Sequence, residues 1–252
     1  MKRKIDIRKS AYSFIILLGI VSLFSDLTYE GARSIIGPYL GLLGASAATI
    51  GFVSGLGEFI GYAFRLITGV ISDKTKKYWA MTIIGYGLNL IAIPLLAFVP
   101  ENGWIYACGL ILLERFGKSI RNPSKSTLVS FAASEVGVGK GFAIQEALDQ
   151  IGAFLGPVML FIILTIKGSS NAKEAYSLCF LALGVTAIFA LAVLFISKKL
   201  YPTPESFDKS KEAEGKMHFK LPFWLYIVAI SLIAIGFADF PLMSFHLVQK
   251  KL

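Results

Sequence analysis

The sequence predicts an all-α fold, a polytopic membrane bundle of about seven transmembrane helices. Three observations predict it. Hydrophobic residues make up 55% of the chain and its mean hydropathy is +0.68. Charged residues are only 16%, against the about 25% of an ordinary soluble domain. The apolar residues fall in long uninterrupted blocks rather than at amphipathic spacing, and most blocks are near the length that crosses a bilayer. A net charge of +9 raises the question of nucleic acid. Its distribution excludes that reading, because the basic residues collect between the apolar blocks, where orientation signals sit.

The blocks run over 12–40, 47–71, 79–98, 104–120, 141–166, 174–197 and 223–247. The first follows Lys2-Arg3-Lys4, as a signal peptide would. It lacks a small-residue cleavage site and is followed by further spans, so it reads as an uncleaved first helix. It is also long enough to need a tilt or kink, with Gly31 and Gly37-Pro38 as the bending points. Connections are short except at 121–140 and 198–222. The second of these, with Pro202, Pro204 and many charges, reads as a polar linker. The expected organisation is therefore a six-helix bundle over 1–197, a cytoplasmic linker over 198–222, and a seventh helix over 223–252.

Basic residues set the orientation. With the N-terminus inside, eighteen Lys and Arg fall on inner segments and four on outer ones, while Arg33, Arg65 and Arg115 lie within spans. Inner loops carry the excess of such residues, so the N-terminus is expected in the cytoplasm and the protein in the inner membrane.

Ionisable residues inside spans are expensive, so they face a bundle interior or a wet cavity. Asp26, Glu30 and Arg33 lie at i, i+4 and i+7 on one face of the first span. Glu58 and Arg65 share a face of the second. Glu114 and Arg115 lie in the fourth, Glu146 and Asp149 at the start of the fifth. The third span has none between Trp79 and Phe98 and the sixth none between Ala175 and Ser197, so they should be peripheral. These residues admit two readings: a coupling or substrate site, or interior ion pairs such as Glu30 with Arg33 and Glu58 with Arg65 or Arg115. Cys108 and Cys179 sit in apolar blocks and read as buried thiols. His218 and His246 are isolated, so neither a metal nor a cofactor is expected. No nucleophile elbow, zinc-protease motif or phosphate-binding loop occurs, which argues against an enzyme.

Between the second and third spans, residues 69–78 read Gly-Val-Ile-Ser-Asp-Lys-Thr-Lys-Lys-Tyr. Gly69, Ile71, Asp73, Lys74 and Lys77 resemble the signature loop of the major facilitator superfamily, G-x-L-a-D-r-x-G-r-k. Lys76 stands in place of a glycine and Tyr78 in place of a basic residue. Gly152, Gly156 and Pro157 resemble the fifth-helix motif g-x-x-x-G-P-x-x-G-G, common in antiporters of that family, although Leu160 and Phe161 replace its trailing glycines. Physically, the two glycines make a face that admits another helix closely, and the proline frees a carbonyl. Finally, Phe24-Ser25-Asp26 is echoed by Phe237-Ala238-Asp239, as a parallel repeat between transporter halves would require.

The resemblance implies the N-terminal half of a facilitator plus its seventh helix. It implies secondary active transport of a small solute by alternating access, with proton-coupled efflux as the first expectation. Asp26, Glu30, Arg33, Glu58, Arg65, Glu114, Arg115 and Asp239 would form the substrate or coupling site. Arg115 would be the counter-charge of Asp26 and Glu30, and Asp73 would gate against a second half. The partners expected are a small-molecule substrate, protons, the lipid bilayer, and a C-terminal half or a second copy of the chain. The alternative is a truncated or inactive fragment that needs its missing half. A seven-helix receptor or retinal protein also matches the span count. It would normally have an external N-terminus, and a retinal protein needs a lysine that the seventh span lacks.

Overall fold

The structure is a computed structural model that describes residues 2–167, 171–208, 220–235 and 240–250. Eight α-helices are seen among the described residues: α1 Lys2–Leu42, α2 Ala47–Thr75, α3 Tyr78–Leu95, α4 Trp104–Val136, α5 Val138–Lys167, α6 Ala172–Leu200, α7 Leu221–Ile235 and α8 Phe240–Lys250. Five of them are long and apolar enough to cross a membrane, namely α1, α2, α3 with its 3₁₀ extension, α5 and α6. In α4 the apolar run is broken by Glu114, Arg115, Lys118 and Arg121. The apolar part of α7, Leu221–Ile233, is shorter. Residues 236–239 of the expected seventh span, Asp239 included, lie outside the described residues.

Local chemistry sets the boundaries. Ser46 caps α2 by accepting the Thr49 amide at 3.1 Å, and Asn171 caps α6 by accepting the amides of Lys173 and Glu174. Glu174 in the first turn of α6 and Lys198 and Lys199 in its last complement the helix dipole. α2 ends with Lys76 in the left-handed region, at φ 54°.

Two expectations about connections are corrected. The segment 121–140 is not a loop: α4 continues to Val136 and α5 starts at Val138. Gly137 turns the chain alone, at φ 109°, with its amide bonded to the Ala133 carbonyl at 2.8 Å. Only a residue without a Cβ takes that conformation without strain. The helical extension holds because Ser124, Leu128, Val129, Ala132 and Ala133 are buried. Nor is 198–222 polar throughout. Phe207 is buried against Phe14, Ser134 Oγ donates to the Phe207 carbonyl at 3.0 Å, and Trp79 Nε1 donates to the Tyr201 carbonyl at 3.1 Å. An aromatic side chain this apolar is driven from water despite its charged surroundings.

α1 is the central element. It packs along α5 and α6, and one end of it meets α8, while α2 and α3 each pack on α4. One core cluster gathers Tyr39, Leu40, Leu43, Ile50, Ile93, Leu96 and Phe180 near the α1–α2 turn. The other gathers Phe14, Leu18, Trp79, Tyr86, Leu128 and Phe207 at the opposite end. The Gly152–Gly156 face of α5 lies on the backbone of α1. A Cβ at either position would fall on the carbonyl oxygens of Leu23 and Leu27. Gly156 also faces Gly31, the glycine expected to bend α1, and the two glycines let the helices approach closely.

α2 and α4 are stitched by hydroxyls. Pro123 has no amide proton, so the carbonyl of Ser119 four residues earlier loses its helical donor. The Thr68 hydroxyl of α2 donates to that carbonyl at 2.7 Å. One turn further on, Ser72 and Ser124 share a hydrogen bond of 2.9 Å. Gly69 faces Pro123 across the same contact.

Candidate transport cleft and charge network

Six charged residues of α1, α2 and α4 meet around one cleft of about 640 Å³. Glu58 is its hub. It lies 3.1 Å from Arg115 and 3.9 Å from Arg33, and Arg33 lies 3.6 Å from Glu30. Gly57 makes the approach possible, since a Cβ there would press on the Arg115 side chain at 3.1 Å. Behind Arg115 stands buried Glu114, 3.4 Å from its Nε. Asn89 of α3 donates its side-chain amide to the Glu114 carboxylate. Stacking adds to the charge pairing: the Arg115 guanidinium lies 4.9 Å from the centre of the Tyr29 ring, with Lys118 Nζ at 3.3 Å from the same ring.

A second cleft, of about 240 Å³, opens beside the first and shares Glu30 and Lys118 with it. There Arg121 lies 3.8 Å from Asp26, and Lys125 lies 3.6 Å from Asp149 of α5. Arg121 is buried and stacks over Tyr86 at 4.4 Å. Neither cleft takes a residue from α3 or α6.

The network is thus partly the one expected and partly not. Asp26, Glu30, Arg33, Glu58, Arg65 and Arg115 line the two clefts, with Glu114 buried behind Arg115. Glu30 pairs with Arg33, and Glu58 with Arg115, as the ion-pair reading allowed. Arg115, expected as the counter-charge of Asp26 and Glu30, lies against Glu58 and Glu114, and Asp26 pairs with Arg121. Arg121 looked like an orientation signal in a loop. It is the third member of the series Glu114, Lys118, Arg121, at i, i+4 and i+7, which puts all three on one face of a continuing helix. Arg65 does not pair with Glu58. Two helical turns separate them along α2, and Glu58 is already held by Arg115. Arg65 lies over Tyr62, 4.7 Å from the ring centre. Glu146 and Asp149 are not at a helix start, because α5 begins at Val138; Glu146 accepts from Gln150 at 2.7 Å. Asn89, Tyr29 and Tyr86 carried no charge to mark them in the sequence. In the basic turn, Gly69 sits inside α2, while Asp73, Lys74 and Lys77 are exposed and no described residue forms an ion pair with Asp73.

Comparison with known proteins agrees with this architecture. The chain is 40% identical over 249 residues to uncharacterized proteins of Mycobacterium bovis and Mycobacterium tuberculosis, a match covering 95% of the chain and 58% of theirs. It is 32% identical over 167 residues to an uncharacterized MFS-type transporter of Methanocaldococcus jannaschii, covering 66% of the chain and 40% of that protein. The chain therefore spans little more than half the length of the curated relatives it matches most fully. Among solved structures, a mutant peptide transporter crystallised with sulfate superposes with a TM-score of 0.55 at 18% identity, over 88% of this chain and 44% of that one. The same transporter with alafosfalin gives 0.55 at 17%, over 88% of this chain and 45% of that one. At such identity the likeness speaks for the fold. The family model of the Major Facilitator Superfamily matches residues 18–251. With that match over nearly the whole chain and a membrane-type bundle built as described, the chain belongs to the Major Facilitator Superfamily.

Proposed function

We propose that the protein carries a small solute across the inner membrane by alternating access, coupled to protons and directed outward, with its N-terminus in the cytoplasm. It performs no bond chemistry of its own. The observation that carries the reading is the chain of ion pairs Glu30–Arg33–Glu58–Arg115 across three helices at one cleft. Ionisable residues are expensive inside a membrane, where they pair, face a bundle interior or wet cavity, and mark substrate or ion pathways. Asp26 and Glu30 are the proton carriers in this reading. A proton on Asp26 weakens its hold on Arg121, and one on Glu30 weakens its hold on Arg33, which links transport to helix rearrangement. The exposed Asp73, Lys74 and Lys77 gate the cytoplasmic side against whatever completes the cleft, a C-terminal half or a second copy of the chain. Asp239 is the counterpart of Asp26 on that other side. The outward direction rests on the Gly152–Gly156–Pro157 motif.

The test is proton-driven transport in proteoliposomes containing the protein. Asp26→Asn and Glu30→Gln should abolish the dependence on a pH gradient and leave gradient-free counterflow in place. Normal coupling in both variants would reduce the two carboxylates to structural ion pairs.

A further inference from the structure

We infer that the solute of the large cleft is an organic anion, received by Arg65 and Lys118. This inference rests on the transport reading for calling the ligand a cargo. Four cations line the cleft, Arg33, Arg65, Arg115 and Lys118, against two carboxylates, Glu30 and Glu58. The surplus falls on particular side chains. Glu58 is engaged by Arg115 and Arg33, and Glu30 by Arg33. The neighbouring acids are taken as well, Asp26 by Arg121 and Glu114 by Arg115 and Asn89. Arg65 and Lys118 are left without an ion pair to any described residue. Each instead lies over a tyrosine ring, Arg65 over Tyr62 at 4.7 Å and Lys118 over Tyr29 at 3.3 Å.

Cation–π contact supports such a charge but does not neutralise it. The Nε of Arg65, although buried, has no hydrogen-bond partner among the described residues, so the donors of this guanidinium are not all used up within the bundle. A planar guanidinium matches a carboxylate or phosphate through two parallel hydrogen bonds, and an ammonium adds a point charge. The same cleft is lined by Tyr62 and by Ile230 and Ile233 of α7, which suits an apolar body attached to the anionic group. A cation would meet surplus positive charge here, and a neutral solute would leave both groups uncompensated.

The experiment is calorimetric titration of the full chain in nanodiscs with four probes: benzoate, phenyl phosphate, glucose and ethidium. At least one of the two anions should bind, more weakly at higher salt. Arg65→Gln and Lys118→Gln should each weaken that binding at least tenfold. Arg65→Lys should lose less than Arg65→Gln, because it keeps the charge. Binding of ethidium that tightens when either cation is removed would overturn the inference. So would binding of an anion that neither Gln variant affects, or the absence of binding by both anions. Counterflow of the same probes in proteoliposomes separates the two claims. Movement of a cation or a neutral solute keeps transport and sinks the anion. Binding of an anion that never moves keeps the site and sinks transport.

Discussion

At the scale of single residues, pairing in this protein follows reach and competition. Glu58 could meet Arg65 on its own helix, yet Arg115 from α4 lies 3.1 Å away and takes it. The Arg115 side chain is largely buried, so removing its charge leaves Glu58 with the longer contact to Arg33 and Glu114 with the neutral Asn89 amide. Arg115→Gln should cost about 3 kcal/mol. The double variant Arg115→Gln with Glu58→Gln should recover part of that loss, read as folded yield and thermal midpoint in detergent. A double variant no better than the single would mean the two are not coupled. Lys76 offers a smaller, opposite effect. It holds φ 54° at the end of α2, where a side chain costs about 1 kcal/mol that glycine avoids. Lys76→Gly should raise the thermal midpoint by a few degrees, whereas Lys76→Ala should leave it unchanged.

At the scale of elements, helices meet where side chains are smallest or where a hydroxyl replaces a missing bond. The α1–α5 contact is built on Gly152, Gly156 and Gly31. Gly156→Ala would set its methyl against the Leu27 carbonyl and should destabilise by about 1–3 kcal/mol. Gly109→Ala on α4, where a Cβ meets nothing within 4 Å, is the control and should be neutral. Equal melting of the two variants would show that the α1–α5 approach can relax. The Gly152–Gly156 spacing was legible in the sequence as a packing face. The Thr68–Ser119 bond was not, because it depends on Pro123 freeing a carbonyl next to a hydroxyl 51 residues away in the chain.

At the scale of the whole molecule, the charge asymmetry should fix the orientation. Ser10 and the exposed Ser206 lie at the end of the bundle expected inside. Cys108 and Cys179 are buried, so they contribute little background to thiol labelling. Ser10→Cys and Ser206→Cys should resist an impermeant maleimide in intact cells and react after permeabilisation. Labelling of either from outside would invert the assigned topology. The two clefts sharing Glu30 and Lys118 also belong to this scale, since they arise only when α1, α2, α4 and α5 are brought together.

The sequence alone determined that the chain is helical and membrane-embedded, which family it resembles, and which helices carry charge. Those properties depend on local composition and on periods of a few residues, which are read directly along the chain. Asp26, Glu30 and Arg33 were recognisable as one face for the same reason. The tertiary structure decided who pairs with whom: Arg121 with Asp26, Lys125 with Asp149, and Asn89 with Glu114. It also decided that α4 runs on to Val136 and that Phe207 folds back into the core. Each of these is settled by competition among groups far apart in sequence, and burial sets the outcome: a charge withdrawn from water takes the nearest compensating group that packing leaves within reach.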